Sequence, residues 1–178
     1  MDEQQLINGC KKGDRKCQKQ LFDLYSDGTL LLCMRYVKQQ ADAEEMMLNG
    51  FLKFFNSIGR FVYGGKGSIG GWLKKIMVNE CLMFLRNRNE IKIVEESYAA
   101  EVPMNEHLID TMNAEEIYKL VIALPAGYRT IFNLFVIEGY SHKEIASELG
   151  ISEGTSKSQL NKARVMLQKI LQKMESYL

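Results

Sequence analysis

Proline is almost missing from this chain: only Pro103 and Pro125 occur in 178 residues. Helices can therefore run long without the break that a proline ring imposes. No alternation of apolar and polar residues lasts more than a few positions, so strands are not expected either. His107 and His142 stand far apart, and Cys10, Cys17, Cys33 and Cys81 show no CxxC spacing. That argues against a metal site or a disulfide framework and predicts buried, reduced thiols. No stretch approaches the roughly 20 apolar residues of a membrane span, and no signal-peptide pattern opens the sequence, which makes the cytoplasm the expected compartment. The glycine-rich Gly64-Gly-Lys-Gly67 lacks the GK[ST] that must follow four intervening residues in a nucleotide-binding loop. No nucleophile is paired with a base. The expectation is a protein that is no enzyme, with no catalytic residues, cofactor, metal or small-molecule substrate.

Net charge is also nearly absent, at +1, but the average conceals blocks. Residues 1–59 balance at 8 basic and 8 acidic, whereas residues 60–92 hold 7 basic against 2 acidic. Residues 93–118 carry 7 acidic and no basic residues, and residues 119–178 return to 8 basic against 5 acidic. Two basic blocks separated by an acidic one suggest two nucleic-acid-facing modules and a linker. The expected architecture is all-α, with a domain over residues 1–90, a linker over 91–112 that contains Pro103, and a second domain over 113–178.

What the chain does contain is a helix-turn-helix pattern from Tyr140 to Arg164. Ser141 is placed to cap a short helix carrying Ile145, Ala146 and Leu149, and Gly150 supplies the left-handed residue of a tight turn. Ile151 plugs the joint and Ser152 caps a second helix. At 100° per residue, Leu160, Ala163, Leu167, Ile170, Leu171 and Met174 share one stripe of that second helix. Thr155, Ser158, Asn161 and Lys162 fall opposite, with Lys157, Gln159 and Arg164 on the flanks. Hydroxyls, amides and cations near a helix start suit base edges and phosphates in a major groove. Ser156 alone departs, lying on the apolar stripe as a tolerated small residue. Upstream, helices are expected over Asn113–Ala123 and from Pro125 to about Glu138, where Gly139 ends the second.

The N-terminal half reads as helices: Arg15–Tyr25 capped by Asp14, Thr29–Lys38, one beginning at Asp42, and a long one capped by Ser68 and reaching about Asn89. In the third, Met46, Met47, Gly50, Phe51, Phe54, Phe55 and Ile58 form a core stripe. Asp42, Glu45, Leu48, Asn49 and Leu52 form the opposite, outer stripe, where two leucines among acids and an amide suggest a contact patch. On the fourth helix Lys75, Asn79 and Arg86 share a stripe with Trp72 at its edge, preceded by Arg60, Phe61, Tyr63, Lys66 and Ser68 in and around a loop. Cations interleaved with aromatics suit single-stranded DNA, whose phosphates the cations track while unstacked bases meet rings or a pocket.

These segments resemble the extracytoplasmic-function (group IV) sigma factors of bacterial RNA polymerase over nearly the whole chain. Leu6-Ile-Asn-Gly-Cys-Lys-Lys-Gly-Asp-Arg15 resembles the family's opening, and Asp42-Ala-Glu-Glu45 with Gly50-Phe51 its polymerase-binding helix. Ser68 with Gly71-Trp-Leu-Lys-Lys-Ile-Met-Val-Asn79 is similar to its reader of the downstream (−10) promoter element, and Leu124-Pro125 through Arg164 to its reader of the upstream (−35) element. The resemblance implies a sigma-2-like bundle and a sigma-4-like helix-turn-helix domain. It implies that Asp42, Glu45, Leu48, Asn49 and Leu52 bind the coiled coil of the β′ subunit and that the C-terminal lobe docks on the β flap. Arg60, Phe61, Lys66, Ser68, Trp72, Lys75, Asn79 and Arg86 would then serve the downstream element. Thr155, Lys157, Ser158, Gln159, Asn161, Lys162 and Arg164 would serve the upstream one. It also implies an acidic linker threading towards the RNA exit path, and an anti-sigma partner, often membrane-bound in the family. Leu48-Asn49 stands where a Gln-Glu pair is usual, Ile69-Gly70-Gly71 replaces a Ser-Phe-x-x-Trp lead-in, and Ser156 replaces a common valine.

A different class of reading is a stand-alone helix-turn-helix regulator whose N-terminal lobe senses a ligand or dimerises. It leaves the aromatic and basic loop and the outer stripe of the third helix without a use. A small nuclease would need clustered carboxylates, and Asp42, Glu44 and Glu45 have no basic groove beside them in the sequence.

Overall fold

In the computed structural model, residues 2–93 and 112–175 are described, and they divide into two units between Arg88 and Asn89. Among the described residues all regular structure is helical. Most of the linker expected at 91–112 lies outside those residues.

The first unit opens with a helix that the sequence pattern did not reveal. α1 (Glu3–Lys11) starts on a capping box in which Asp2 accepts from the Gln5 amide and the Gln5 side chain accepts from the Asp2 amide. Its Leu6, Ile7 and Cys10 are buried on one face. α2 (Arg15–Val37) is capped by Asp14 as expected, but it is one helix of 23 residues rather than two. Ser26-Asp27-Gly28 reads as a break because glycine costs a helix about 1 kcal/mol. Burial of Leu21, Leu32 and Cys33 on either side outweighs that cost, and Thr29 Oγ1 folds back to donate to the Tyr25 and Ser26 carbonyls.

α3 (Gln40–Ser57) runs into a single 3-10 turn, Ile58–Arg60, and α4 (Ser68–Asn87) follows a short loop. Ser68 does not cap α4. The cap is Gly67, held at φ +87, and Ser68 is the first helical residue. α2, α3 and α4 each pack on the other two, and α1 lies against α2 and the 3-10 turn. Met46, Met47, Phe51, Phe54 and Ile58 are buried as the stripe requires, with Phe55 half-buried. Gly50 lets α3 and α4 approach closely, since a Cβ there would sit 2.3 Å from the Met77 sulfur.

All four cysteines are buried free thiols. Burial, together with Cys17 and Asp14 nearby, pushes the Cys10 thiol up to about 11. A hydrogen bond with Cys33 and burial push Cys81 well up. Such thiols stay protonated and serve as packing groups. No group of three potential ligands among the described residues could hold a metal ion, and no helix there is long and apolar enough to cross a membrane.

In the second unit, α5 (Ala114–Ala123) is capped by Asn113 in a box with Glu116, and α6 (Ala126–Phe132) follows Pro125. A π turn, Asn133–Ile137, extends α6 before Gly139 stops it at φ +76. α7 (His142–Leu149) and α8 (Glu153–Glu175) complete the unit. α6 and α7 both pack on α8, around Leu120, Val121, Phe132, Ile145, Leu160, Ala163 and Leu167. The chain after α4 belongs to this unit: the Lys92 carbonyl lies 3.0 Å from where a Gly127 Cβ would sit.

The α7–α8 turn depends on Gly150 at φ +66, and a Cβ there would meet nothing within 4 Å. Gly150→Ala therefore carries a purely conformational cost of about 1–2 kcal/mol. The melting temperature of the second unit should drop by about 5–10 °C in calorimetry. An unchanged melting curve would show that the turn can re-form without a left-handed residue.

Candidate nucleic-acid and partner interfaces

α3 presents the outer stripe where the helical period puts it. Leu48 and Leu52 are 55% and 61% exposed, and Glu45 is open to solvent between acids and amides. Asp42 is less free than the pattern implies. It accepts a hydrogen bond from Arg88 Nη1 at 3.1 Å, and that guanidinium also sits 4.6 Å from the centre of the Phe84 ring. Asn49 is half-buried. The patch therefore consists of two leucines and Glu45 at its centre, with Asp42 tying α3 to α4.

On α4, Lys75, Asn79 and Arg86 are exposed, as are Arg60 at the end of the 3-10 turn and Lys66 in the loop. One of the expected site residues, Phe61, turns inward, and Ser68 and Trp72 are half-buried. Phe61 is only 9% exposed and stacks on Trp72 with centroids 5.0 Å apart, while Phe54 tilts against Trp72 at 5.1 Å. Burying two aromatic rings against each other gains more than leaving one open, so Phe61 acts as the backing of Trp72 and not as a platform of its own. Ser68 Oγ accepts from the Gly64 amide at 3.3 Å and so closes the loop.

Trp72 remains half-buried at the edge of a groove of about 320 Å³ between α3 and α4. Trp72, Ile76, Asn79, Glu80 and Met83 line it from α4, and Lys53 from α3. Glu80 is buried within this basic segment, and Lys53 Nζ donates to its Oε1 at 2.5 Å. A buried carboxylate needs such a partner. Lys53 and Glu80 were not among the residues expected from the sequence. The signal was an acid on the inner side of an otherwise basic helix, and only the packing of α3 on α4 supplies its partner.

In the second unit Ser141 caps α7 in a box with Glu144, and Ser152 caps α8 through its bond to the Thr155 amide at 3.0 Å. Ser156 is more than a tolerated small residue. Its hydroxyl lies 2.9 Å from His142 Nδ1, and the His142 ring stacks on Phe135 at 4.4 Å. A polar pair thus joins the two helices where a branched apolar residue would otherwise pack.

The expected open face of α8 is not open in this structure. Thr155, Ser158, Gln159 and Asn161 are 4% exposed or less, and Lys157, Lys162 and Arg164 are half-buried. Helical arithmetic separates the two faces but does not say whether the polar one is covered. The short hydroxyls are taken up locally: Thr155 Oγ1 pairs with the Ser152 hydroxyl, and Ser158 donates to the Thr155 carbonyl at 3.0 Å. Gln159, Asn161, Lys162 and Arg164 are all engaged by other groups of the chain.

Comparison with known proteins matches these two units to two regions of one family. The model for sigma-70 region 2 matches residues 21–91, and that for sigma-70 region 4 matches residues 114–167. The chain is 29% identical over 163 residues to the ECF RNA polymerase sigma factor SigE of Mycolicibacterium smegmatis, covering 88% of this chain and 62% of that protein's length. It is 27% identical to the ECF RNA polymerase sigma-E factor of Haemophilus influenzae, covering 97% and 96% of the two chains. The sigma factor RpoE from Bartonella quintana, solved with the anti-sigma factor NepR, shares the fold at a TM-score of 0.53 and 22% identity, over 86% of this chain and 96% of that one. With a region-2 bundle followed by a region-4 helix-turn-helix, the chain belongs to the sigma-70 family, among its ECF sigma factors.

Proposed function

We propose that this chain is the promoter-specificity subunit of a bacterial RNA polymerase, directing the core enzyme to two promoter elements and helping to open the downstream one. The observation that carries this reading is the pairing of two surfaces on one small bundle. The exposed Leu48 and Leu52 sit on α3 opposite a fully apolar core face, and a cationic stripe with a Trp72-edged groove sits on α4. A DNA-binding module acting alone has use for the second surface but not the first. Leu48, Leu52 and Glu45, with Asn49 and Asp42 at the margin, bind the β′ coiled coil. Arg60, Lys66, Lys75 and Arg86 track the displaced strand, and Trp72 with Asn79 receives an unstacked base. Phe61 and Ser68 support that site from behind. Polymerase supplies the chemistry, so the chain itself is no enzyme and works in the cytoplasm.

The second unit docks on the β flap and reads the upstream element with Thr155, Lys157, Ser158, Gln159, Asn161, Lys162 and Arg164 of α8. Since four of these are buried here, base contact requires α8 to be uncovered within the holoenzyme. Replacing Lys157 and Lys162 by alanine should weaken holoenzyme binding to a promoter fragment. Its dependence on salt should flatten by about one unit of slope for each phosphate that is no longer neutralised. A slope that does not move would take both lysines off the DNA. The partner in the RpoE structure makes an anti-sigma protein the regulator to expect for this chain.

The direct test adds the purified chain to core polymerase stripped of its specificity subunit. Comigration in gel filtration and transcripts with defined start sites are the expected results. Binding to duplex DNA with no affinity for core enzyme would instead point to a stand-alone regulator.

A further inference from the structure

α1 belongs to neither proposed interface, yet it holds the basic loop at both ends. Lys11 Nζ donates to the Phe61 carbonyl at 2.7 Å, and Glu3 Oε2 accepts from the Gly67 amide at 2.9 Å. These bonds join residues 50 and 64 positions apart. Phe61 closes the 3-10 turn and Gly67 caps α4, so the two bonds fix where the loop leaves one element and enters the next. Glu3 and Lys11 lie at opposite ends of α1 and so span the loop as a rigid bar of roughly 12 Å.

The loop itself is poor in constraints of its own. It contains Gly64, Gly65 and Gly67, the last two in left-handed conformations, and such a segment has much freedom to lose on ordering. A loop already ordered before DNA arrives avoids that loss at the moment of binding. The Glu3 Oε1 is buried, with no hydrogen-bond donor among the described residues. The other oxygen is held by the Gly67 amide at 2.9 Å. The carboxylate charge also faces the start of α4, where the helix dipole favours an anion.

We propose that α1 is a clamp, with Glu3 and Lys11 as positioning residues that set the loop of residues 61–67 for single-stranded DNA. They act through Phe61 and Gly67: Lys11 holds the residue whose ring backs Trp72, and Glu3 fixes the approach of Lys66 to the strand. This rests on the reading of that loop and groove as a single-strand reader.

The test uses holoenzyme assembled from the full chain and core polymerase, with a randomised single-stranded oligonucleotide pool as the probe. Wild-type holoenzyme should enrich a base preference, and the enriched sequence is then made with 2-aminopurine next to the preferred position. Glu3→Ala and Lys11→Ala should each weaken binding of that oligonucleotide at least tenfold, flatten the base preference and diminish the 2-aminopurine signal of unstacking. Core affinity should stay within twofold. Lys11→Arg, which keeps a donor, should restore the preference. If the variants bind core enzyme normally and keep the wild-type preference, the clamp is overturned while the single-strand reader stands. If wild-type holoenzyme enriches nothing from the pool, the reader fails and the clamp fails with it.

Discussion

Replacing Leu48 and Leu52 together by aspartate should lower affinity for core RNA polymerase by about 100-fold or more, while the first unit stays folded. Fully burying a leucine side chain stabilises an interface by about 1.5–3 kcal/mol, and both leucines are more than half exposed in the free chain, with more than half of that gain still to be made. Aspartate forfeits the gain and adds two charges beside Glu45 and Asp42, which a partner surface would have to desolvate. A combined loss of about 3–5 kcal/mol follows, and each 1.4 kcal/mol is a factor of ten in affinity. The fold has little to lose, because neither side chain is in the core and exposed substitutions cost about 0.5 kcal/mol each. Fluorescence titration against core enzyme reads the first quantity and thermal melting the second. Unchanged core affinity in a folded double variant would remove this face of α3 from the polymerase interface.

The parts of the fold that were legible in the sequence are those set by local chemistry. Asp14, Ser141, Ser152 and Gly150 take up the cap and turn positions that their side chains and backbone freedom favour. The Met and Phe stripe of α3 is buried because an apolar face on a helix in water has no other stable outcome. What the sequence hid are outcomes decided by contacts between distant segments. Ser26-Asp27-Gly28 stays helical because Leu21 and Leu32 are buried on either side of it. Ser68 lost the cap to Gly67, whose amide is held by Glu3 from another helix. Phe61 has the composition of a platform for bases, but Trp72 is stacked on it.

The candidate sites divide in the same way. Leu48, Leu52, Lys75 and Asn79 are exposed where the helical period places them, since each lies opposite a strongly apolar face. The polar face of α8 obeys the same period and is nonetheless buried. Periodicity orders residues around one helix and carries no information about whether a given face is covered. Ser156 shows a related gap. A serine on an apolar stripe reads as a defect until His142, fourteen positions earlier, is seen to hydrogen-bond with it.

Lys75→Ala combined with Asn79→Ala should reduce open promoter complexes by about 60-fold or more and leave core affinity within twofold. Both side chains are exposed on α4, one turn apart, and Asn79 lines the groove whose edge is Trp72. On the proposed reading Lys75 offers a cation to the displaced strand, and a charge-assisted contact of that kind is worth about 1.5–3 kcal/mol. Asn79 offers a donor and an acceptor to a base edge, a contact that discriminates by about 1–3 kcal/mol when well placed. Neither group is needed to hold α4 in place, because Leu73, Met77, Cys81 and Leu85 do that from the opposite face. The loss should therefore fall on strand separation and not on assembly. Permanganate reactivity of unpaired thymines measures the open complex, and titration against core enzyme measures assembly. A template with a pre-melted downstream element separates two roles of the pair. If it restores activity fully, Lys75 and Asn79 serve only to trap the extruded base. If it restores activity in part, they also contribute to holding the strand afterwards. An equal loss of opening and of core binding would mean that this face of α4 meets polymerase rather than DNA.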